Sequence, residues 1–264
     1  MTAPTPDGST VDKSDAQICL FTLVIPLHNE EDSIPILVPE IMEATRNVSE
    51  PFEILLVNDA STDNTLAAAK KAAQPYPCIK VISTPKQRGQ TGCYVAALEI
   101  SRGKYFLRMD GDLQDDPSDL PQFIRCMIED ADLIMGIRSF RVSARFMRFV
   151  SMTFDLFASI VFNSPLHTNT SSFLAIKTRF LLHLSLLHND HRYLALIAMH
   201  RGAKTLREIV VANRPRRFGK SKYSDIKKVI LGIPELIIFT LRMKTHFYSF
   251  YTKDNQRVPS QHRS

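Results

Sequence analysis

Tyr105-Phe106-Leu107-Arg108-Met109-Asp110-Gly111-Asp112-Leu113-Gln114-Asp115-Asp116-Pro117 decides how this chain folds. An apolar run ends abruptly in alternating carboxylates and then meets a proline. That reads as a buried strand emptying into a polar loop that opens a new helix. Asp110 and Asp112, one residue apart at the mouth of a strand, offer hard oxygens to Mg²⁺ or Mn²⁺, ions that keep waters and bridge phosphate oxygens. Gln114 adds an oxygen ligand or a hydrogen bond. A solvated acidic turn would carry the same residues, so the weight falls on the company the loop keeps.

Working outward, strand-like runs alternate with helical stretches. Cys19 to Pro26 is almost continuously apolar, the pattern of a strand buried on both faces. It ends in Leu27-His28-Asn29-Glu30, after which Ser33 is placed to cap a helix carrying Ile34, Leu37, Val38 and Ile41. Phe52 to Val57 ends in Asn58-Asp59-Ala60-Ser61-Thr62-Asp63, and Ile79 to Ile82 gives way to Lys86 through Gly92. Asp132 to Gly136 ends at Arg138. Strands in this alternation imply a mostly parallel sheet flanked by helices, with ligands collected at the carboxyl ends of its strands. The polar residues concentrate at those ends. No glycine-rich dinucleotide turn follows the first strand and no P-loop is present, so a phosphate ligand must be held through a metal and cationic side chains.

The chain has 264 residues, 44% of them hydrophobic, enough to bury a real core in one large domain. Its net charge of +6 suits an anionic partner. Nucleic acid is excluded by position, since aromatic and basic residues do not interleave as a stacking platform requires. Residues 1–17 are polar, expected to be disordered, and without a signal-peptide core, which points to the cytoplasm. Cys19, Cys78, Cys93 and Cys126 lack metal spacing and read as free thiols. The longest C-terminal apolar run, Val229 to Leu241, falls short of the ~20 residues of a spanning helix.

Cations gather in two places. Arg138, Arg141, Arg145 and Arg148 recur at helical spacing and would line one face of a helix, with Phe146, Phe149, Met152 and Phe154 thickening its apolar side. Arg214, Arg216, Arg217, Lys220 and Lys222 surround Pro215 and Gly219, a second positive loop able to close over a phosphorylated ligand. Between them a short strand, Phe173 to Ile176, precedes helices expected around Leu181 to Leu187 and Asp190 to His200, and Leu206 to Val211 reads as a further strand. Residues 226–264 hold an amphipathic helix, Ile226 to Met243, and a basic, aromatic tail suited to a membrane interface or to packing on the domain's own core.

Ile25-Pro26-Leu27-His28-Asn29-Glu30, Val57 to Asp63, Asp110 to Asp115 and Arg216 to Tyr223 together resemble the inverting family-two glycosyltransferases. Among them they look most like the branch that acts on polyprenyl phosphates, such as dolichol-phosphate mannosyltransferase and the undecaprenyl-phosphate sugar transferases. The resemblance implies a GT-A fold over residues 18–225, Rossmann-like, with the C-terminal helix as an extension. It places Pro26, His28, Glu30, Asp59, Ser61, Gln90, Asp110, Arg216 and Lys222 at the nucleotide sugar. It assigns Asp110, Asp112 and Gln114 to the metal, and Asp112, Arg138, Arg148 and Ser221 to catalysis around the two phosphate groups. His28 stands where the family usually has tyrosine near the base, and Asn58 replaces the first aspartate of a common pair.

The implied reaction moves a sugar from a UDP- or GDP-sugar to a polyprenyl phosphate. The enzyme would be peripheral at the cytoplasmic membrane face or held there by a membrane partner. A lipid monophosphate is largely ionised at neutral pH and needs cations more than a general base. The alternatives are a hydroxyl acceptor with Asp115 or Asp116 as base, and a non-catalytic module that binds a nucleotide sugar or lipid.

Overall fold

The computed structural model describes residues 19–138, 145–168, 171–187, 189–215 and 225–249. The tail to residue 17, Arg141 and the loop positions Arg216, Arg217, Lys220, Ser221 and Lys222 lie outside them. The first half alternates strictly: β1 (Cys19–Leu27), α1 (Ile34–Ala44), β2 (Phe52–Asn58), α2 (Thr65–Ala73), β3 (Ile79–Ser83), α3 (Gly89–Ile100) and β4 (Gly103–Arg108). The second half runs through α4 (Leu120–Ile128), β5 (Leu133–Arg138), α5 (Arg145–Phe162), β6 (Leu174–Lys177), α6 (Leu194–His200), β7 (Leu206–Val211) and α7 (Asp225–Lys244).

The strands form one seven-stranded sheet in the order β3-β2-β1-β4-β6-β5-β7. Only β6 runs against its neighbours, pairing antiparallel with β4 and β5, so the sheet is mostly parallel as expected. The near-continuous apolar runs follow from burial on both faces. Phe21, Leu23, Ile25, Tyr105 and Leu107 face one layer with α1, α2 and α4, while Val24, Leu55, Phe106 and Met135 face the other. In that second layer α7 packs Phe239 and Met243 inward, with Tyr193 stacked on Phe239 at 4.1 Å.

Three local expectations give way to tertiary partners. Ser33 precedes α1 but makes no side-chain cap; its hydroxyl instead donates to Glu30 Oε2 at 2.7 Å. Residues 181–187 are not helical: Arg201 donates to the Phe180 and Leu182 carbonyls, and His183 adopts a positive φ, which stops a helix. Arg138 is the last residue of β5, in register with Val211 of β7, and so does not share a helical face with Arg145 and Arg148.

At the end of the sheet away from the acidic loop, Asp130 and Asp132 meet Lys177 at 2.8 and 3.0 Å. Hydrogen bonds from Lys104 and Lys177 hold the Asp130 carboxyl down at about 2. Burial pulls the Asp132 carboxyl up, but the Lys204 and Thr205 amides and Lys177 outweigh it and hold the carboxyl well below the usual range. Groups with depressed folded pKa values stabilise above their unfolded pKa and lose that contribution as pH falls. Resistance to denaturant should therefore fall progressively below about pH 4, and Asp132→Asn should flatten that acid limb.

Candidate active site

Asp110 to Asp116 leave the tip of β4 on the same edge of the sheet as the tips of β1, β2 and β3. The Asp-Gly-Asp spacing has a packing reason: a Cβ on Gly111 would sit 3.0 Å from the Pro26 carbonyl and closer still to Leu27, so only glycine lets the loop cross over β1. Asn29, Ala60 and Leu113, one in each of three tip loops, have positive φ, a backbone cost held in place by the surrounding contacts.

Asp112 is 8% exposed, and its Oδ1 accepts the Gln114 amide at 3.1 Å. Asp110 Oδ1 accepts from Gln90 Nε2 at 3.0 Å, which brings the first turn of α3 to the loop. Among the described residues no three His, Cys, Asp or Glu side chains converge into a protein-only metal cage. Two carboxylates and a carboxamide suit instead a Mg²⁺ or Mn²⁺ ion that takes further ligands from substrate phosphates and water.

Asp115 is fully buried. Its Oδ2 accepts the Asp110 amide at 3.1 Å and its Oδ1 the Ser172 hydroxyl at 2.9 Å, so it shapes the acidic loop from beneath. Asp116 caps the turn at Pro117–Asp119 through the Ser118 amide and receives a two-pronged ion pair from Arg214 at 2.7 and 2.8 Å. Burial raises its carboxyl, but the Ser118 and Arg214 bonds prevail and leave it below its ordinary value. Neither carboxylate stands as a free base, which weighs against the hydroxyl-acceptor alternative.

The segment after β7 is fastened to the same loop. Ala212 donates to Asp119 Oδ2 at 2.8 Å, Asp115 and Asn213 form a β-bridge, and the Arg214 amide donates to the Gln114 carbonyl at 2.9 Å. Arg214 also reaches Glu40 of α1 at 2.6 Å. The sequence grouped Arg214 with the phosphate-facing cations, whereas its guanidinium is spent on two carboxylates. We expect Arg214→Ala to cost about 1 kcal/mol of stability, the partners being partly exposed, and to lower turnover. Arg214→Lys should recover only part, because an ammonium cannot reproduce the planar fork. Denaturant melts and steady-state kinetics read both effects.

On the other side of β4, Pro26 lies in register with Val57, and His28 follows β1 with Nδ1 2.9 Å from the Asp59 carbonyl oxygen. Glu30 accepts from Ser33, and Ser61 Oγ accepts the Asn29 amide at 3.1 Å. Asp59, 4% exposed, accepts the Arg88 amide at 2.7 Å, the Gly89 amide at 2.8 Å and the Thr84 hydroxyl at 3.2 Å. Burial and that nearby carboxylate push the Cys93 thiol up to about 12. Pro26, His28, Asp59, Ser61, Gln90, Asp110, Asp112 and Gln114 thus gather at one edge of the sheet. Arg138 reaches the tip of β5 and Arg148 lies within α5. Arg216, Ser221 and Lys222 lie outside the described residues.

Sequence reasoning missed two supports. Arg108, buried in β4, donates to the carbonyls of His191 and Ser171, and His191 Nδ1 lies 2.8 Å from Thr91 Oγ1, next to Gln90. A charged residue inside an otherwise apolar strand was the available signal.

An acidic loop at the tip of the fourth strand, on a mixed sheet of this order with further polar residues on the preceding tips, defines a GT-A scaffold. The chain belongs to glycosyl transferase family 2, which matches residues 22–185, and the enzyme class is that of a glycosyltransferase. It is similar to a dodecaprenyl-phosphate galacturonate synthase of Rhizobium johnstonii, 29% identical over 237 residues, covering 86% of this chain and 70% of that protein. It is also similar to an undecaprenyl-phosphate 4-deoxy-4-formamido-L-arabinose transferase of Pectobacterium carotovorum, 26% identical over 211 residues, covering 80% of this chain and 64% of that protein. The chain thus spans under two thirds of that second relative. In fold it resembles glucosyl-3-phosphoglycerate synthase of Mycobacterium tuberculosis, solved with Mn²⁺, UDP and glucosyl-3-phosphoglycerate. The TM-score is 0.63 at 16% identity, covering 91% of this chain and 85% of that one.

Proposed function

We propose that this protein transfers a sugar, with inversion, from a UDP- or GDP-sugar to a polyprenyl phosphate at the cytoplasmic membrane face, using Mg²⁺ or Mn²⁺. The observation that carries the reading is the state of the acidic loop: Asp110 and Asp112 lie at the strand tip while Asp115 and Asp116 are committed to holding it. An acceptor that arrives already ionised fits such a site, since no proton has to be removed from it. The names of the two relatives, both polyprenyl-phosphate sugar transferases, support the same acceptor class.

Asp110, Asp112 and Gln114 are the residues that would hold the metal. A divalent ion held there would supply positive charge to offset that of the departing diphosphate. Gln90 orients Asp110, the Asp115 carboxylate fixes the Asp110 amide, and Asp59 sets the loop before α3. Arg138 and Arg148, with Arg216, Ser221 and Lys222, are assigned to the two phosphate groups, where guanidinium forks bind best.

Among the described residues no helix is long and apolar enough to cross a membrane. Met152, Leu156 and Ile160 recur every four residues on the exposed side of α5, and Ile237, Ile238 and Leu241 are exposed on α7, with Arg242 and Lys244 close by. Apolar faces beside cations suit peripheral docking on an anionic bilayer.

The test is sugar transfer from a panel of UDP- and GDP-sugars to a short-chain polyprenyl phosphate in detergent, with Mn²⁺ or Mg²⁺ and an EDTA control. Metal-dependent formation of an acid-labile lipid-phosphate sugar is expected. Transfer to water-soluble hydroxyls in its place, or nucleotide binding with no transfer to any acceptor, would overturn the reading.

A further inference from the structure

Residues 189–193, a short turn leading into α6, lie between α7 and the elements that carry the acidic loop. Asn189 enters the turn at φ 67°, a left-handed conformation that asparagine tolerates. Four of the five side chains go to α7 or to the residues just after it. Asn189 Nδ2 donates to Glu235 Oε1, and Arg192 pairs with Glu235 Oε2 at 3.2 Å. Asp190, 2% exposed, accepts from Arg242 at 3.3 Å and from the Tyr248 hydroxyl at 2.9 Å, while Tyr193 stacks on Phe239.

The fifth side chain, His191, meets the other partners. Its Nδ1 lies 2.8 Å from Thr91 Oγ1 in the first turn of α3, and its carbonyl accepts from Arg108 of β4. Both contacts lead to Asp110. Thr91 adjoins Gln90, whose amide donates to Asp110 Oδ1. Arg108 stands two residues before Asp110 and also donates to the Ser171 carbonyl; the Ser172 hydroxyl then donates to Asp115, which accepts the Asp110 amide. Asp110 is thus set through its carboxylate and through its backbone, and His191 stands at the head of both routes. A continuous chain of hydrogen bonds between packed elements is the kind of network that carries position, and coupling between its ends is its test.

We infer that His191 is a positioning residue for Asp110, and that α7 fixes His191 by holding its neighbours on both sides. The C-terminal helix is then part of the catalytic unit and no mere extension of it. This rests on the proposed metal role of Asp110 and names what keeps that carboxylate in place.

The test compares wild type, His191→Ala, His191→Asn, Glu235→Ala and the double variant carrying both alanines, with thermal melts to check folding. Three quantities are read: hydrogen exchange of the amides of residues 109–116, Mn²⁺ affinity by water-proton relaxation, and steady-state kinetics with the donor that the transfer assay selects. His191→Ala should speed loop exchange, weaken Mn²⁺ binding and lower kcat, each by about tenfold, with little change in KM, the scale of one lost hydrogen bond. His191→Asn should recover most of this, since its carboxamide can still bond the Thr91 hydroxyl. Glu235→Ala should act in the same direction to a smaller extent, and the two alanines together should do less than the product of their separate effects. Loop exchange unchanged in His191→Ala, or His191→Asn no better than His191→Ala, would overturn the positioning role. A Glu235→Ala effect that multiplies fully with that of His191→Ala would overturn the part given to α7. Faster loop exchange with wild-type Mn²⁺ affinity would uphold the positioning and overturn the metal role of Asp110.

Discussion

Asp112→Asn is expected to lower sugar transfer by about a thousandfold or more, the scale seen when a preorganised group facing developing charge is removed, with no change in fold. The substitution is nearly isosteric. The asparagine oxygen can still accept the Gln114 amide that Asp112 Oδ1 accepts now, so the loop keeps its internal hydrogen bond. What disappears is the negative charge at the proposed metal position, where an amide is a far poorer ligand for a hard divalent ion. The loss should fall on turnover more than on the thermal melt. Metal titration followed through Mn²⁺ relaxation or calorimetry should show weakened binding. Turnover close to wild type, with normal metal affinity, would remove Asp112 from the metal site.

Much of this site was legible because the fold exports its polar residues to one edge. Runs such as Leu23-Val24-Ile25 and Phe106-Leu107 are buried on both faces, so the cluster of polar residues that follows each run marks where the chain leaves the sheet. That pattern placed Asp59, Asp110 and Asp112 at one edge of the sheet without any knowledge of what they contact, whereas His28 was singled out by the family resemblance. The pattern could not show which of the carboxylates are working parts and which are supports. Asp115 looks in sequence like one more acid of the loop, yet it is a buried anchor, because Ser172, 57 residues further on, lies beneath it. Arg214 reads as a member of a basic run until Asp116 and Glu40 are seen to surround it. The arginine stripe failed for a related reason: a spacing of three or four predicts a shared face only within one helix, and Arg138 still belongs to β5. Residues 181–187 carried a helical apolar pattern, but the nearby carbonyls of Phe180 and Leu182 are taken by Arg201 from another element. In each case the deciding partner is distant in sequence, and local pattern has no access to it.

The division between working parts and supports makes Asp115 the sharpest remaining test. As a support, it should be replaceable by a residue that keeps both hydrogen bonds. Asp115→Asn can do so: its carbonyl oxygen accepts the Asp110 amide, and its NH₂ donates to Ser172 Oγ, which reverses its role. That variant should keep activity within about tenfold, since the loop geometry survives and only small displacements remain. Asp115→Ala removes both bonds at a fully buried position, leaving the Asp110 amide without its acceptor. It should cost about 1–3 kcal/mol of stability and, by shifting the Asp110 and Asp112 carboxylates proposed to hold the metal, about a hundredfold in turnover. A general base behaves in the opposite way: an amide cannot take a proton, so Asp115→Asn would be as inactive as Asp115→Ala, with a loss of about 10²–10⁴. Steady-state rates and denaturant melts on the two variants therefore decide between an acceptor that is already ionised and one that must be deprotonated. An inactive Asp115→Asn with wild-type stability would return the hydroxyl-acceptor enzyme to first place. An active one removes Asp115 as a general base and leaves only Asp116, already paired with Arg214, for the hydroxyl-acceptor alternative.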